Sequence, residues 1–248
     1  MLWRKTTDPY HILVSEIMLQ QTQVPRVTVK YPQFISAFPD VHSLAGATLS
    51  EVLAVWKGMG YNRRAIALRD IAGIVVTRFS GVIPGEEAVL CGFPGIGKAT
   101  AGSIMAFAFD RPTVFIETNI RRVFIHCFFR DQVPVSDLEI RPLVARTLDR
   151  EHPREWYYAL MDYGAVLGRR IPNPNRRSTH YHRQPAFEGS DRQLRGRVLE
   201  LLLHEGTIMK NDLVTRIGER PDRTGEILLT LHQEGFVTLE HGSVRLKD

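Results

Sequence analysis

Residues 91–109 read CGFPGIGKATAGSIMAFAF. Pro94, Gly95, Ile96 and Gly97 make a tight turn, and a helix rich in small residues is predicted from about Ala99. The glycines permit positive φ and let the backbone come close to a ligand. Amides at such a turn and at the helix start can face a phosphate. The spacing is not that of a nucleotide P-loop, which needs Gly-x-x-x-x-Gly-Lys-Ser/Thr. It fits a helix-hairpin-helix, which grips a DNA backbone phosphate without reading bases. An ordinary helix-helix turn is the alternative that this stretch alone leaves open.

The surroundings of the hairpin are helical in pattern. PYHILVSEIMLQQ (9–21) follows Asp8-Pro9, a good cap and first-turn pair. PRVTVKYPQFISAF (25–38) carries apolar residues at three- and four-residue spacing. TLSEVLAVWKGMG (48–60) starts on Thr48 or Ser50 and stops at glycine, and RRAIALRDIAGIVVTRFSG (63–81) repeats that design. No alternating strand pattern of any length precedes residue 230, so an all-α body is expected. Residues 168–190, GRRIPNPNRRSTHYHRQPAFEGS, hold three prolines, five arginines and two histidines, which reads as a long loop or linker. Beyond it, residues 191–206, 208–218 and 220–235 look like three helices. The end, FVTLEHGSVRLKD, alternates around His241-Gly242, a hairpin signal. Three helices and a two-stranded wing make a winged helix-turn-helix pattern, used both to read DNA and to contact proteins. Its third helix offers Arg220 and Arg223 near its start. Its partner, DNA or protein, stays open.

Composition bounds the function classes. The 248 residues carry a net charge of +5, and 44% of them are hydrophobic. No apolar run reaches membrane-spanning length, and MLWRKTTDPY lacks the apolar core of a signal peptide, so an intracellular protein with no membrane partner is expected. From residue 189 onward there are 9 Lys+Arg against 10 Asp+Glu. Residues 1–188 therefore carry 23 against 17, an excess of six positive charges. That excess suits an anionic partner such as nucleic acid, and equally suits a basic, soluble surface. The two cysteines, Cys91 and Cys127, belong to no metal-spaced set.

Four stretches carry a resemblance: SEIMLQQTQV (15–24), WKGMGYNRRA (56–65), FPGIGKATAG (93–102) and ETNIRRVF (117–124). In this order they resemble the helix-hairpin-helix (HhH-GPD) DNA glycosylase superfamily, with the match closest to MutY-type adenine glycosylases. It spans roughly residues 2–168. It implies a glycosylase domain at 1–168; with the loop composition and the winged pattern, a basic linker is expected at 169–190 and a winged-helix (α+β) domain at 191–248, where MutY types carry a different carboxyl-terminal domain. The implied fold is two helical subdomains with the substrate base flipped between them, the amino-terminal helix packing with helices after residue 130. The implied partner is double-stranded DNA with a mismatched or damaged base. The implied setting is a prokaryotic cytoplasm, at the nucleoid.

Breaking a base–sugar bond is helped by protonation of the leaving base and by negative charge beside the sugar cation, which two carboxylates in different environments supply. Glu16 lies inside the apolar run ILVSEIML, where burial would raise its pKa and keep it protonated. A glutamate turned to solvent is the commoner fate. The resemblance implies that Glu16 protonates the adenine ring. Glu117 falls where the family usually has an aspartate that stabilises the sugar cation, and Thr118 where it usually has glycine. Glu117 also suits a helix start. Asn119 matches a family asparagine that orients the site.

Gln20, Gln21 and Tyr61 resemble residues that enter the DNA near the target pair, and helix surface and core aromatic are their plain alternatives. Arg63, Arg64, Gly95, Gly97 and Lys98 are expected at phosphates, as, more weakly, are Arg4 and Lys5. Bifunctional relatives carry a lysine where this chain has Ala99, so a monofunctional enzyme without lyase activity is expected. Many relatives hold four cysteines for an iron–sulfur cluster from the position of Gly168 onward. Here Gly168 and residues 169–184 contain none, so no cofactor and no metal are expected. His180 and His182 are weak metal evidence without further ligands. The expected activity is removal of adenine opposite G or 8-oxoguanine. Excision of a mismatched uracil, thymine or other pyrimidine, and a catalytically weak protein that recognises damaged or bent DNA, are the alternatives.

Overall fold

The computed structural model describes residues 1–184 and 186–247. Two residues of the expected linker and wing, Pro185 and Asp248, lie outside them. The chain forms two compact units, one of Met1–Ile17 with Ile83–Gln184, the other of Met18–Val82 with the described residues of Pro185–Asp248.

Helix starts follow local chemistry. α1 (Pro9–Leu19) opens where the Asp8 carboxylate accepts from the amides of Tyr10 and His11, at 2.8 and 3.1 Å. α2 (Val24–Ala37) has a proline in its first turn. α3 (Val41–Ala45) and α4 (Leu49–Trp56) are both closed by capping boxes, Asp40 with Ser43 and Thr48 with Glu51, so Thr48 rather than Ser50 is the cap. α5 (Arg63–Phe79) ends at Ser80 in the left-handed region. α6 (Glu87–Cys91) and α7 (Lys98–Phe109) flank the hairpin, and α8 (Thr118–Phe128) is capped by Glu117. α9 (Asp137–Thr147) and α10 (Pro153–Arg170) complete the first unit.

The core of that unit lies between α7, α8 and α10. Phe107, Phe115, Ile120, Phe124 and Tyr157 are buried there, with the Phe115 and Tyr157 rings 4.1 Å apart. The Tyr157 hydroxyl donates to the Thr113 carbonyl at 2.7 Å, which fixes the extended run before α8. Gly164 is required by the close crossing of α10 and α8: a Cβ there would lie 2.5 Å from the backbone oxygen of Asn119.

The expected linker is in part an ordered brace. Asn175 Nδ2 donates to the Thr118 carbonyl at the start of α8, at 2.9 Å. Arg177 donates to the carbonyls of Ile125, Phe129 and Arg130 at its other end. Val135 and Thr179 add backbone bonds on either side, 2.8 and 3.0 Å long. Prolines and arginines signalled a loop, but the unpaired carbonyls of a helix end are what hold it in place.

In the second unit α11 (Asp191–Glu205) is followed by β1 (Ile208–Met209), α12 (Lys210–Ile217), α13 (Pro221–Gln233), β2 (Val237–Glu240) and β3 (Ser243–Leu246). The sheet order is β1-β3-β2, all antiparallel, with Leu239 opposite Val244 and Ile208 opposite Val244 on the other side. The wing thus has a third strand. Two residues show no alternation, and their pairing exists only once β3 lies beside them. Leu194, Val198, Leu213, Leu228, Phe236 and Val244 fill the core of this module.

The winged module groups with α2–α5 in one compact unit. Lys57 pairs with Glu200 at 2.6 Å. Glu234, at the end of α13, is nearly enclosed and takes both Arg63 and Arg195. Removing one partner of such a cluster leaves charge in a poorly solvated place. Glu234→Ala is expected to destabilise the protein by about 2 kcal/mol. Thermal unfolding checks it, and an unchanged midpoint would show that the bridge adds nothing.

Candidate active site

Glu16, Glu117 and Asn119 all fall in the first unit. Glu16 projects from α1 and is hemmed in by surrounding atoms, although part of its side chain still meets solvent. Burial is the main cause that pushes it up to about 7. The nearby Ser103 hydroxyl opposes this, the charge of Glu117 adds to it, and Arg4 opposes it more weakly. Arg4 was expected at phosphate. It instead pairs with Asp162 at 2.8 Å and lies over the Tyr158 ring, 4.5 Å from its centroid. Nothing in the sequence spacing ties residue 4 to residues 158 and 162.

Glu117 is the N-cap of α8. Its Oε1 accepts from the amides of Asn119 and Ile120 at 2.7 and 2.8 Å, and its Oε2 from Asn119 Nδ2 at 3.2 Å. Burial raises its pKa as well and outweighs those two amides, Arg121 and Arg122, which act in the opposite direction. The N–H groups around Glu117 are donors that a carboxylate anion satisfies. Glu16 lies among buried apolar residues of α1, and the Ser103 hydroxyl donates to the Thr100 carbonyl at 2.9 Å. The two carboxyls thus sit in different surroundings, the condition under which separate acid and anion roles can arise.

Asn119 is oriented in turn. Arg122 Nη1 donates to Asn119 Oδ1 and to the Gly164 carbonyl, both at 2.7 Å, and Arg122 Nε donates to Asn173 Oδ1 at 3.2 Å. The neighbouring Arg121 points elsewhere, making two 2.7 Å bonds to Asp137. The adjacent arginines thus have different tasks, one supporting the site and one joining α8 to α9.

The hairpin places Phe93 and Ile96 in the core and leaves Gly95, Gly97 and Lys98 at the surface. Gly95 has φ +74°, the left-handed conformation that the turn needs. α7 begins at Lys98 with no side-chain cap, so its first amides face outward. Ala99 is exposed beside it and carries no amine.

Gln20, Gln21, Tyr61, Arg63 and Arg64 belong to the second unit. Arg64 is corrected: it is buried and cannot serve a phosphate. Its guanidinium binds the carbonyls of Met18, Gln20, Met59 and Gly60 and the hydroxyl of Thr22. Burial lowers it to about 10. It ties the Gln20-Gln21 turn to the Tyr61 turn, and both Gln21 and Tyr61 are held at positive φ. Arg63 is exposed, and its guanidinium pairs with Glu234. Tyr61 is partly exposed and its hydroxyl accepts from Arg192 at 3.3 Å. Among the described residues no group of three or more His, Cys, Asp or Glu is arranged to hold a metal ion.

Residues 14–146 match the HhH-GPD superfamily of base excision DNA repair proteins. The chain belongs to that superfamily. An adenine DNA glycosylase of Buchnera aphidicola is 35% identical over 169 residues, 66% of this chain and 47% of that one. An adenine DNA glycosylase of Mycobacterium tuberculosis is 32% identical over 220 residues, 81% of this chain and 72% of that one. The chain thus spans about half the length of the first relative and nearly three quarters of the second. Among solved structures, a thermostable thymine-DNA glycosylase superposes with a TM-score of 0.61 at 25% identity, covering 70% of this chain and 82% of that one.

The carboxyl of Glu16 has a native pKa above its unfolded value of 4.5. Its favourable contribution is complete below pH 4.5 and is lost as pH rises through 7. Glu16→Gln should therefore gain stability relative to the parent at pH 8, by up to about 3 kcal/mol, and little at pH 4. Denaturant unfolding at both pH values tests this; equal gains at both would show Glu16 to be unperturbed.

Proposed function

We propose that this protein is a monofunctional DNA glycosylase that hydrolyses the bond between a flipped, mispaired adenine and its sugar, with G or 8-oxoguanine opposite. The observation that carries the reading is the pair Glu16 and Glu117: burial favours a proton on the first, and two backbone amides donate to the carboxylate of the second. The names of the two bacterial relatives supply the base.

In this reading DNA is gripped at the hairpin, where the amides of α7 and Lys98 meet a backbone phosphate. The base leaves the stack, because its reacting atoms are out of reach in a duplex. Glu16 donates its proton to the ring as the base departs. Glu117 faces the sugar as it gains oxocarbenium character, and water completes the hydrolysis. Its side chain is one bond longer than the usual aspartate, and it folds back onto the α8 amides while keeping an oxygen beside Asn119. Asn119, steadied by Arg122, orients that oxygen. With Ala99 in place of an amine there is no nucleophile for a Schiff base, and strand cleavage does not follow.

The reading includes no iron–sulfur cluster. Two cysteines, on α6 and α8, cannot supply four thiolates, and the segment that would hold the cluster is braced on α8 by Asn173, Asn175 and Arg177. No helix among the described residues is long and apolar enough to cross a membrane, and the proposed setting is the DNA of a prokaryotic cytoplasm.

A second reading, excision of thymine or uracil from a mismatch, is favoured by the likeness to the thymine-DNA glycosylase. Duplexes with A·G, A·8-oxoguanine, T·G, U·G and C·G pairs, treated with alkali after incubation, separate the two. Cleavage at adenine is expected; cleavage at T·G or U·G alone would establish the second reading, and none at any pair would end both. Strand breaks before alkali would refute the monofunctional assignment. The excision rate is expected to fall as pH rises through about 7, where Glu16 loses its proton, and Glu16→Gln to lower it by about 10²–10⁴-fold. Glu117→Gln, which keeps the side-chain length but removes the charge, is expected to slow single-turnover excision by about 10²–10³-fold. A loss below threefold would place Glu117 outside the reaction.

A further inference from the structure

In a winged helix-turn-helix the last of the three helices is the one that enters a DNA groove, and here that helix is α13. Its outward face does not suit a phosphate backbone. Asp222, Glu226 and Leu229 are exposed at four- and three-residue spacing, so they share that face. Arg223 is occupied. It donates to Asp191 at 2.8 and 3.0 Å, to Glu219 at 3.3 Å and to the Gly189 carbonyl at 2.7 Å. Arg220, the N-cap, is left as the exposed arginine of this helix.

A second arginine cluster stands where α11 lies against the Tyr61 turn. Arg192 Nη1 donates to the Tyr61 hydroxyl and Nη2 to the Ala186 carbonyl, both at 3.3 Å, and the guanidinium is 6.0 Å from the centroid of the Phe187 ring. The Tyr61 hydroxyl and the Ala186 carbonyl are neutral, so these two bonds cancel none of its charge. Arg195 is one turn further along α11 and shares Glu234 with Arg63. Arg63, Arg192, Arg195 and Glu234 together leave an excess of two positive charges. Tyr61 and Phe187 are 37% and 58% exposed, two surface rings joined by one guanidinium. The platform is held firmly. Tyr61 sits at positive φ in a turn that the buried Arg64 ties to the Gln20-Gln21 turn, and such a conformation persists only where its surroundings enforce it. Arginine beside exposed rings is the chemistry that holds a nucleic-acid backbone and the groups next to it.

We propose that the winged module binds DNA through α11 and not through α13: Arg192 meets a backbone phosphate of duplex DNA, with Tyr61 and Phe187 flanking it. The proposal rests on the reading that this chain acts on duplex DNA. It gives the acidic face of α13 no part in that contact.

Arg192→Gln removes the charge from a partly exposed side chain, and Arg192→Lys keeps it. Arg220→Gln makes the first change on α13. Each full-length variant is titrated by fluorescence anisotropy against a labelled, fully paired duplex, and against the same duplex with a tetrahydrofuran abasic site, across a salt series. Arg192→Gln is expected to bind both duplexes about three- to tenfold more weakly and to lower the slope of log affinity against log salt by about one. Arg192→Lys should keep the parental slope, and Arg220→Gln should match the parent throughout.

Parental affinity and slope in Arg192→Gln would overturn the proposal. Equal losses of slope in Arg192→Gln and Arg192→Lys would overturn it too, since the residue would then act by shaping the Tyr61 turn and not by its charge. A loss confined to Arg220→Gln would make α13 the reader, and a loss in neither glutamine variant would overturn the proposal in favour of a protein partner. Excision from an A·8-oxoguanine duplex, measured alongside, separates this proposal from the glycosylase reading. An active parent whose Arg192→Gln variant binds normally sinks the proposal alone. A parent that excises nothing, with the change of slope intact, sinks the glycosylase reading alone. A parent that binds neither duplex ends both.

Discussion

The carboxylate of Glu117 at the start of α8 is the constraint on which the rest of the first unit depends. A helix end presents amides that need acceptors, and Glu117 supplies one oxygen to two of them. Its other oxygen meets Asn119, Asn119 meets Arg122, and Arg122 reaches the Gly164 carbonyl and Asn173. The chain of bonds passes from the cap through α10 to the segment after it. That segment returns to both ends of α8 through Asn175 and Arg177. A single side chain thus closes a helix, and the bonds that orient it also hold the brace.

Glu16 acquires its character from the opposite circumstance. It sits among apolar residues of α1 with few donors, so the neutral acid is the form its surroundings favour. Two glutamates of identical intrinsic chemistry thereby sit in different surroundings, one largely apolar and one lined by amide donors. They are close enough for the charge of Glu117 to be felt at Glu16. The contrast is a property of the pair's placement, and neither residue has it alone.

The second unit is organised by arginines that sequence reading had assigned to phosphate. Arg63 and Arg64 are adjacent, yet one joins Glu234 of the winged module and the other is buried against oxygens of Met18, Gln20, Thr22, Met59, Gly60 and Tyr61. A guanidinium has enough donors to serve either purpose. Which it serves is decided by whether carbonyls or solvent surround it. The same limit applied to Arg4, which joined Asp162 and Tyr158, and to the prolines and arginines of 169–184, whose composition is that of a loop and whose bonding is that of a brace.

Short-range chemistry was legible in the chain. The capped starts at Asp8, Thr48 and Glu117, the hairpin at Pro94–Gly97 and the turn at His241-Gly242 each depend on a few neighbouring residues, and each was readable from them. The apolar setting of Glu16 was readable too, because its own helix supplies much of it. The two-residue strand β1, the grouping of the winged module with α2–α5, the burial of Arg64 and the bond from Arg192 to Tyr61 were not. Each arises between residues far apart along the chain. Caps and turns are set by local backbone geometry, which sequence encodes directly. Burial and charge pairing are set by what the folded chain brings alongside, and that exists only in three dimensions.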